Sequence, residues 1–169
     1  MSKHVLIVRH AHALDALLGQ EDHDRPLSTH GAYEAKMLAT YMQNQHIVPD
    51  HILCSSAVRT RATAAILEQE SALSLELRHN LDSLYLADAA QLQQHLTSLD
   101  DNAQCLMVIA HNPGVSEWAY CLASPREKET LPYVLHTAGL LHFFSSSSSW
   151  HEVAYHQCRL LHLFDPSLC

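Results

Sequence analysis

A chain of 169 residues is long enough for one domain with a sizeable core. Its 47% hydrophobic and 17% charged residues mark it as globular rather than disordered. The formal net charge of −8 argues against general nucleic-acid binding and requires a local positive cluster for any anionic substrate. No apolar run approaches the roughly 20 residues that span a bilayer, so no membrane association is expected. The start, MSKHVLIVRHAHAL, runs straight into Arg9 and reads as a first strand, not a secretory signal. The expected compartment is therefore the cytoplasm. The five cysteines (Cys54, Cys105, Cys121, Cys158, Cys169) show no C-x-x-C spacing and read as reduced thiols.

In chain order, HVLIV (4–8) predicts a buried strand. Residues 11–27 lack a period and read as a loop. Ser28 or Thr29 caps a helix over about 30–45, with Ala35, Leu38, Ala39 and Met42 at i, i+3, i+4, i+7. HILC (51–54) predicts a second strand. A helix over 57–70 follows, with Val58, Ala62, Ala65 and Ile66 as its apolar face and Arg59 in its first turn. LELR (75–78) predicts a third strand and 88–99 a helix. CLMVIA (105–110) is the clearest buried strand, ending at His111-Asn112-Pro113-Gly114, and a helix carrying Val115, Trp118, Ala119 and Leu122 follows. AGLLHFF (138–144) and a run near 152–164 predict two final strands, with Ser145–Ser149 as a flexible hairpin loop. The expected fold is a single α/β domain over 1–169, a three-layer αβα sandwich with a mostly parallel central sheet and a C-terminal antiparallel hairpin.

In open sheets of this kind, ligands bind beyond the carboxyl ends of the strands. His10 follows the first strand, Arg59 lies just after the second, and His111 follows CLMVIA. Three strand ends thus deliver a basic or imidazole group to one rim. Such a set suits a phosphoryl group. Arg9, Arg25 and Arg59 offer fixed guanidinium donors, a neutral histidine can attack phosphorus, and a second, protonated histidine can stabilise charge. Most of the 15 histidines are scattered singly and carry no such pattern.

These residues resemble a known family. R-H-A at 9–11 is similar to the Arg-His-Gly signature of the histidine phosphatase superfamily. D-R-P-L-S-x-x-G (24–31), C-S-S-A-V-R-T-R-A-T (54–63) and A-H-N-P-G (110–114) resemble the signatures of its small SixA-type phosphohistidine phosphatases. The resemblance runs from Leu6 to about Leu122. It implies that His10 is the phosphoryl-accepting nucleophile, that Arg9, Arg59 and His111 complete the phosphate pocket, and that Arg25 and Asn112 add substrate contacts. Ala11 replaces the usual glycine, small enough to keep the phosphate approach open. Ser56 stands in place of a proline and is expected to loosen the turn before Arg59.

Ester hydrolysis needs a general acid, for which Asp82 is the nearest match by order and spacing, with Asp22 and Asp24 as alternatives. A phosphoramidate, whose leaving group is an imidazole, needs less help. The leading expectation is therefore a metal-independent enzyme that uses no cofactor and dephosphorylates a protein histidine, such as that of a phosphorelay carrier. A broad phosphomonoesterase acting on small metabolites is the alternative. A phosphate-binding module without turnover and a metal site built from His10, His12 and His111 fit the motifs less well. The flanking arginines would repel a cation, and His12 is expected to be a bystander.

Overall fold

A computed structural model describes residues 2–71 and 73–168. Its first strand, β1 (Lys3–Arg9), is the apolar run of the amino terminus, buried on both faces. The other strands are β2 (His51–Ser55), β3 (Arg78–Leu81), β4 (Cys105–Ala110), β5 (Leu140–Ser145) and β6 (Arg159–Phe164). They form one six-stranded sheet in the order β3-β2-β4-β1-β5-β6. The first four in that order are parallel, and β5 runs antiparallel to both β1 and β6. The mostly parallel sheet and its antiparallel end match the sequence expectation.

The four helices are α1 (Thr29–Asn44), α2 (Val58–Ser71), α3 (Ala89–Thr97) and α4 (Gly114–Leu122). Alternation along the strands assigns them to two faces. Leu6, Val8, Met107 and Ile109 pack with Leu38 and Met42 of α1 and Ala64 and Leu67 of α2. Val5, Ile7, Leu106 and Val108 pack with Leu92 and Leu96 of α3 and Trp118 and Leu122 of α4. Ser28 caps α1, its hydroxyl accepting from the Gly31 amide. Gly31 is required by close approach: a Cβ there would lie 2.0 Å from the His12 carbonyl oxygen.

Three expectations change. The LELR segment is a 3-10 turn over Leu75–Leu77, and the strand is the next four residues, RHNL. This is an edge strand, so its polar side chains meet solvent and give no apolar signal. The face of α2 is also rotated. Thr60, Thr63, Ala64 and Leu67 are buried together with Arg59, while Val58, Ala62 and Ile66 are half-buried and Ala65 is exposed. Threonine can take the buried face because its hydroxyl is satisfied locally: Thr60 donates to the Ser55 and Ala57 carbonyls, Thr63 to the Arg59 carbonyl. Finally, Ser145 closes β5, and the connection to β6 is a longer segment anchored by Trp150, fully buried with its indole N–H on the Ala103 carbonyl.

That connection lies at the end of the sheet away from the β1 and β4 carboxyl termini, since Ser145 pairs with Lys3. Lys3 is itself fully buried. Its ammonium donates to the Asp101 and Ala103 carbonyls at 2.7 and 2.8 Å and sits 5.1 Å from the Trp150 ring centre. The serine-rich segment is therefore remote from the rim where His10 and His111 emerge.

Candidate active site

The sheet register brings the strand ends level. Arg9 pairs with Ala110 and Cys54 with Ile109, so β1, β2 and β4 terminate side by side. The ladder continues one step further, with the His10 amide donating to the Ala110 carbonyl at 3.1 Å. His10 and His111 therefore leave adjacent strands, and their ring centres lie 5.0 Å apart. Arg59 arrives from the first turn of α2. It is only 3% exposed, with its Nε donating to His10 Nε2 and its Nη2 to His111 Nδ1, both at 3.3 Å.

These contacts specify the ring nitrogens. His10 Nδ1 lies 2.8 Å from the Ala11 carbonyl, an acceptor, so Nδ1 carries the proton and Nε2 keeps its lone pair. Burial, outweighing the Ala11 bond, and then Arg59, Arg9 and Arg25 lower the His10 pKa to about 4. The imidazole is thus neutral near neutral pH, with Nε2 facing Arg59. His111 Nδ1 accepts from Arg59, so its Nε2–H donates to the Ser55 hydroxyl at 2.8 Å. Burial first, then His10 and Arg59, lower its pKa to about 3. His111 is therefore neutral near neutral pH, because burial and cationic neighbours both oppose the charge. A phosphoryl dianion would reverse the second of these.

Arg9 donates through Nη1 to the Leu135 carbonyl at 2.9 Å, while its Nε is buried with no hydrogen-bond partner among the described residues. A buried guanidinium N–H left unpaired costs on the order of 1–3 kcal/mol, and an oxyanion would supply the missing acceptor. Asn112 shares the Leu135 carbonyl through its amide and accepts from the Ser116 hydroxyl at 2.6 Å. It braces the 131–135 segment beside Arg9. Arg25 reaches the pocket mouth, donating to the Leu14 carbonyl and to Asp22.

Asp82 is exposed. It opens the 3-10 turn after β3, and its carbonyl accepts from the Tyr85 amide. Asp22 is drawn into the site instead. Its carboxylate takes bonds from the Tyr85 phenol at 2.7 Å and from Arg25 and Arg59 at 2.9 Å each. Those bonds, led by that of Tyr85, hold its pKa well below the usual carboxylate range, so it remains ionised.

Sequence reasoning missed the residues that brace this set. Tyr85 stands edge-on to His111, with ring centres 5.4 Å apart. Thr63 accepts the Ala11 amide. Buried Glu34 accepts the His12 amide at 2.8 Å and the Thr137 hydroxyl at 2.7 Å, fixing the backbone just past His10. Glu34 was detectable in principle as the one carboxylate in the apolar stripe of α1. Ser56, far from only loosening its turn, bonds His23 at 3.0 Å and so ties the 22–24 turn to α2. Ala11 is buried with Ala35 and Ala138. The His12 ring bonds the Ser28 hydroxyl at 2.8 Å and rests against His30. Among the described residues, no group of three His, Cys, Asp or Glu side chains is placed to hold a metal ion. The four described cysteines are unpaired, and Cys169 lies outside the described residues.

Beside the pocket runs a groove of about 720 Å³, lined by Asn112, by Ser116 and Tyr120 of α4, and across from them by Lys128, Tyr133 and Val134. Among the described residues, no helix is long and apolar enough to cross a membrane.

Residues 5–115 match the model of the histidine phosphatase superfamily, branch 1. An uncharacterized chloroplastic protein of Arabidopsis thaliana is 29% identical over 90% of this chain and 71% of its own length. An uncharacterized protein of Mycobacterium tuberculosis is 32% identical over 63% of this chain and 64% of its own length. Among solved structures, a protein of Nakamurella multipartitia assigned as a SixA phosphohistidine phosphatase superposes with a TM-score of 0.84 at 21% identity, over 98% of this chain and 97% of the other. The protein histidine phosphatase SixA complexed with tungstate gives 0.79 at 23% identity, over 98% of each chain. A mycobacterial glucosyl-3-phosphoglycerate phosphatase gives 0.63 at 15% identity, over 95% and 97%. The chain belongs to the histidine phosphatase superfamily and is a phosphatase with a histidine nucleophile.

Proposed function

We propose that the protein is a phosphohistidine phosphatase, taking a phosphoryl group from a histidine of a partner protein onto His10 and passing it to water. The observation that carries this reading is the state of His10: Nδ1–H spent on the Ala11 carbonyl, Nε2 unprotonated, and Arg59 beside it. In the first step Nε2 attacks phosphorus while the bond from phosphorus to the substrate imidazole nitrogen breaks. The imidazole leaves with the bonding pair and takes a proton from solvent. In the second step water attacks the phosphorus of phospho-His10, the P–Nε2 bond breaks, and inorganic phosphate leaves with the water's oxygen. Arg9 and Arg59 hold the phosphoryl oxygens through a loose transition state, and His111 joins them once its Nδ1 takes up a proton beside the dianion. The scheme asks for no metal or cofactor.

Two observations support a phosphohistidine over an ester. Asp22 is held ionised by its three partners, and Asp82 sits on an exposed turn. An imidazole leaving group tolerates that shortage of acid better than an alkoxide does. The groove then suits residues that flank the phosphohistidine on a partner: it starts at Asn112, next to His111, and follows α4 for about 12 Å from Pro113 to Cys121. The SixA neighbour is complexed with tungstate, a tetrahedral oxyanion, which supports an oxyanion ligand for this chain as well.

The second reading is a phosphomonoesterase for small metabolites, which the glucosyl-3-phosphoglycerate phosphatase neighbour favours. Turnover of a phosphohistidine protein set beside a panel of sugar phosphates decides. The first reading predicts a kcat/KM at least 100-fold higher on the phosphoprotein, on the order of 3 kcal/mol of extra transition-state binding. Equal or better turnover of a sugar phosphate contradicts it.

A further inference from the structure

Every nitrogen of the Arg59 guanidinium is engaged within the protein itself. Nε bonds His10 and Nη2 bonds His111, while Nη1 donates to the Asp22 carbonyl and Nη2 also to the Asp22 carboxylate. Asp22 thus occupies the fork that, on the reading above, must hold a phosphoryl group. A carboxylate and a phosphate present matching oxygens to a guanidinium and compete for the same donors. Arg25 and Tyr85 add two more donors to the same carboxylate.

The two partners differ in freedom. The Arg59 side chain is 4% exposed, whereas that of Asp22 is 47% exposed. Arg59 is locked into the first turn of a 14-residue helix, while Asp22 rides on a three-residue turn in the 11–27 segment. An exposed carboxylate that lets go regains its water at little cost; a buried guanidinium that lets go does not. Asp22 is therefore the partner freer to move.

We propose that Asp22 is a built-in competitor for the phosphate pocket: its carboxylate holds Arg59 between turnovers, yields to the incoming phosphoryl group, and returns to expel inorganic phosphate after hydrolysis. The inference rests on Arg59 being a phosphate ligand. It gives the 22–24 turn a function in product release. It also makes Asp22 a positioning residue rather than a proton donor.

The test is binding of inorganic phosphate to the full chain, by calorimetry, for the wild type, Asp22→Asn, Tyr85→Phe and Arg59→Gln. Asp22→Asn keeps the shape and removes the competing charge. Its dissociation constant for phosphate falls roughly tenfold, equivalent to one charge-assisted hydrogen bond, and product inhibition tightens in step. Tyr85→Phe, which loosens Asp22 by a single bond, shifts affinity in the same direction by less. Phosphate binding that is unchanged or weaker in both variants overturns the inference, since Asp22 would then only order Arg59. Arg59→Gln separates the two readings: unchanged phosphate affinity in that variant overturns the site assignment itself.

Discussion

His10 owes its proposed role to two contacts that divide its ring nitrogens, and each has a measurable consequence. Because burial and three arginines lower its pKa to about 4, the ring resonances of His10 should titrate below pH 5 by NMR. Titration near 6.5 would contradict the geometry. Removing a cation acts in the opposite sense, so Arg59→Gln should raise that value. Gly31 shows how a residue without a side chain shapes the site. The His12 carbonyl lies 2.0 Å from where a Cβ would stand, and that atom is backbone and cannot swing aside. Gly31→Ala should cost about 2 kcal/mol and lower the melting temperature by roughly 4–8 °C. A melting temperature within 1 °C of wild type would contradict this. The placement of Arg9, His10, Arg59 and His111 at one rim was legible in the sequence because Arg9 closes β1, the other three closely follow a strand, and local patterning places strand ends. Tyr85, Glu34 and Asp22 were not legible in their roles, because tertiary contacts across 63 and 103 positions bring Tyr85 to Asp22 and Thr137 to Glu34.

At the scale of elements, α2 and the α4 groove carry the lesson. Spacing located α2 and put Arg59 in its first turn, yet gave the wrong face, since two satisfied threonines hold the buried positions. Apolar periodicity cannot report a hydroxyl that has found its acceptor. β3 was displaced for the complementary reason: an edge strand exposes polar residues, so its pattern is silent. The helices α1 and α4, buried on mainly apolar stripes, followed their patterns closely. The groove along α4 makes a prediction of its own. Tyr120 and Tyr133 are 55% and 98% exposed on its two sides. Replacing both by serine should lower kcat/KM on a phosphohistidine protein about fivefold, a loss of roughly 1 kcal/mol, and leave a small aryl phosphate almost untouched. Equal losses on both substrates would place the effect on the fold and not on partner recognition.

Over the whole molecule, buried histidines tie stability to pH. His10, His111 and His142 have pKa values lowered to about 4, 3 and 4, each chiefly by burial. Unfolded imidazole titrates near 6.5. Between these values the unfolded chain binds protons that the folded chain refuses, so stability falls as pH drops from about 7 toward 4. His142 lies away from the catalytic set, stacked on His162 and bonded to His4, with its Nδ1 buried and unpartnered among the described residues. His142→Phe should flatten the acid decline in melting temperature without moving activity at pH 7; an unchanged decline would show that His142 does not contribute to it. The sheet topology was legible as a class, since alternating strand and helix patterns specify parallel crossovers. The strand order that sets β4 between β1 and β2, and so places His111 beside His10, emerges only from packing.

Passage of the phosphoryl group through His10 is open to direct trapping. Wild type and His10→Ala are mixed with a labelled phosphohistidine protein, quenched within milliseconds, and assayed for label on the enzyme. Acid-labile, alkali-stable label is expected on His10 of the wild type and none on the variant, whose turnover is lost. Full turnover by His10→Ala, or label on another residue, would contradict it.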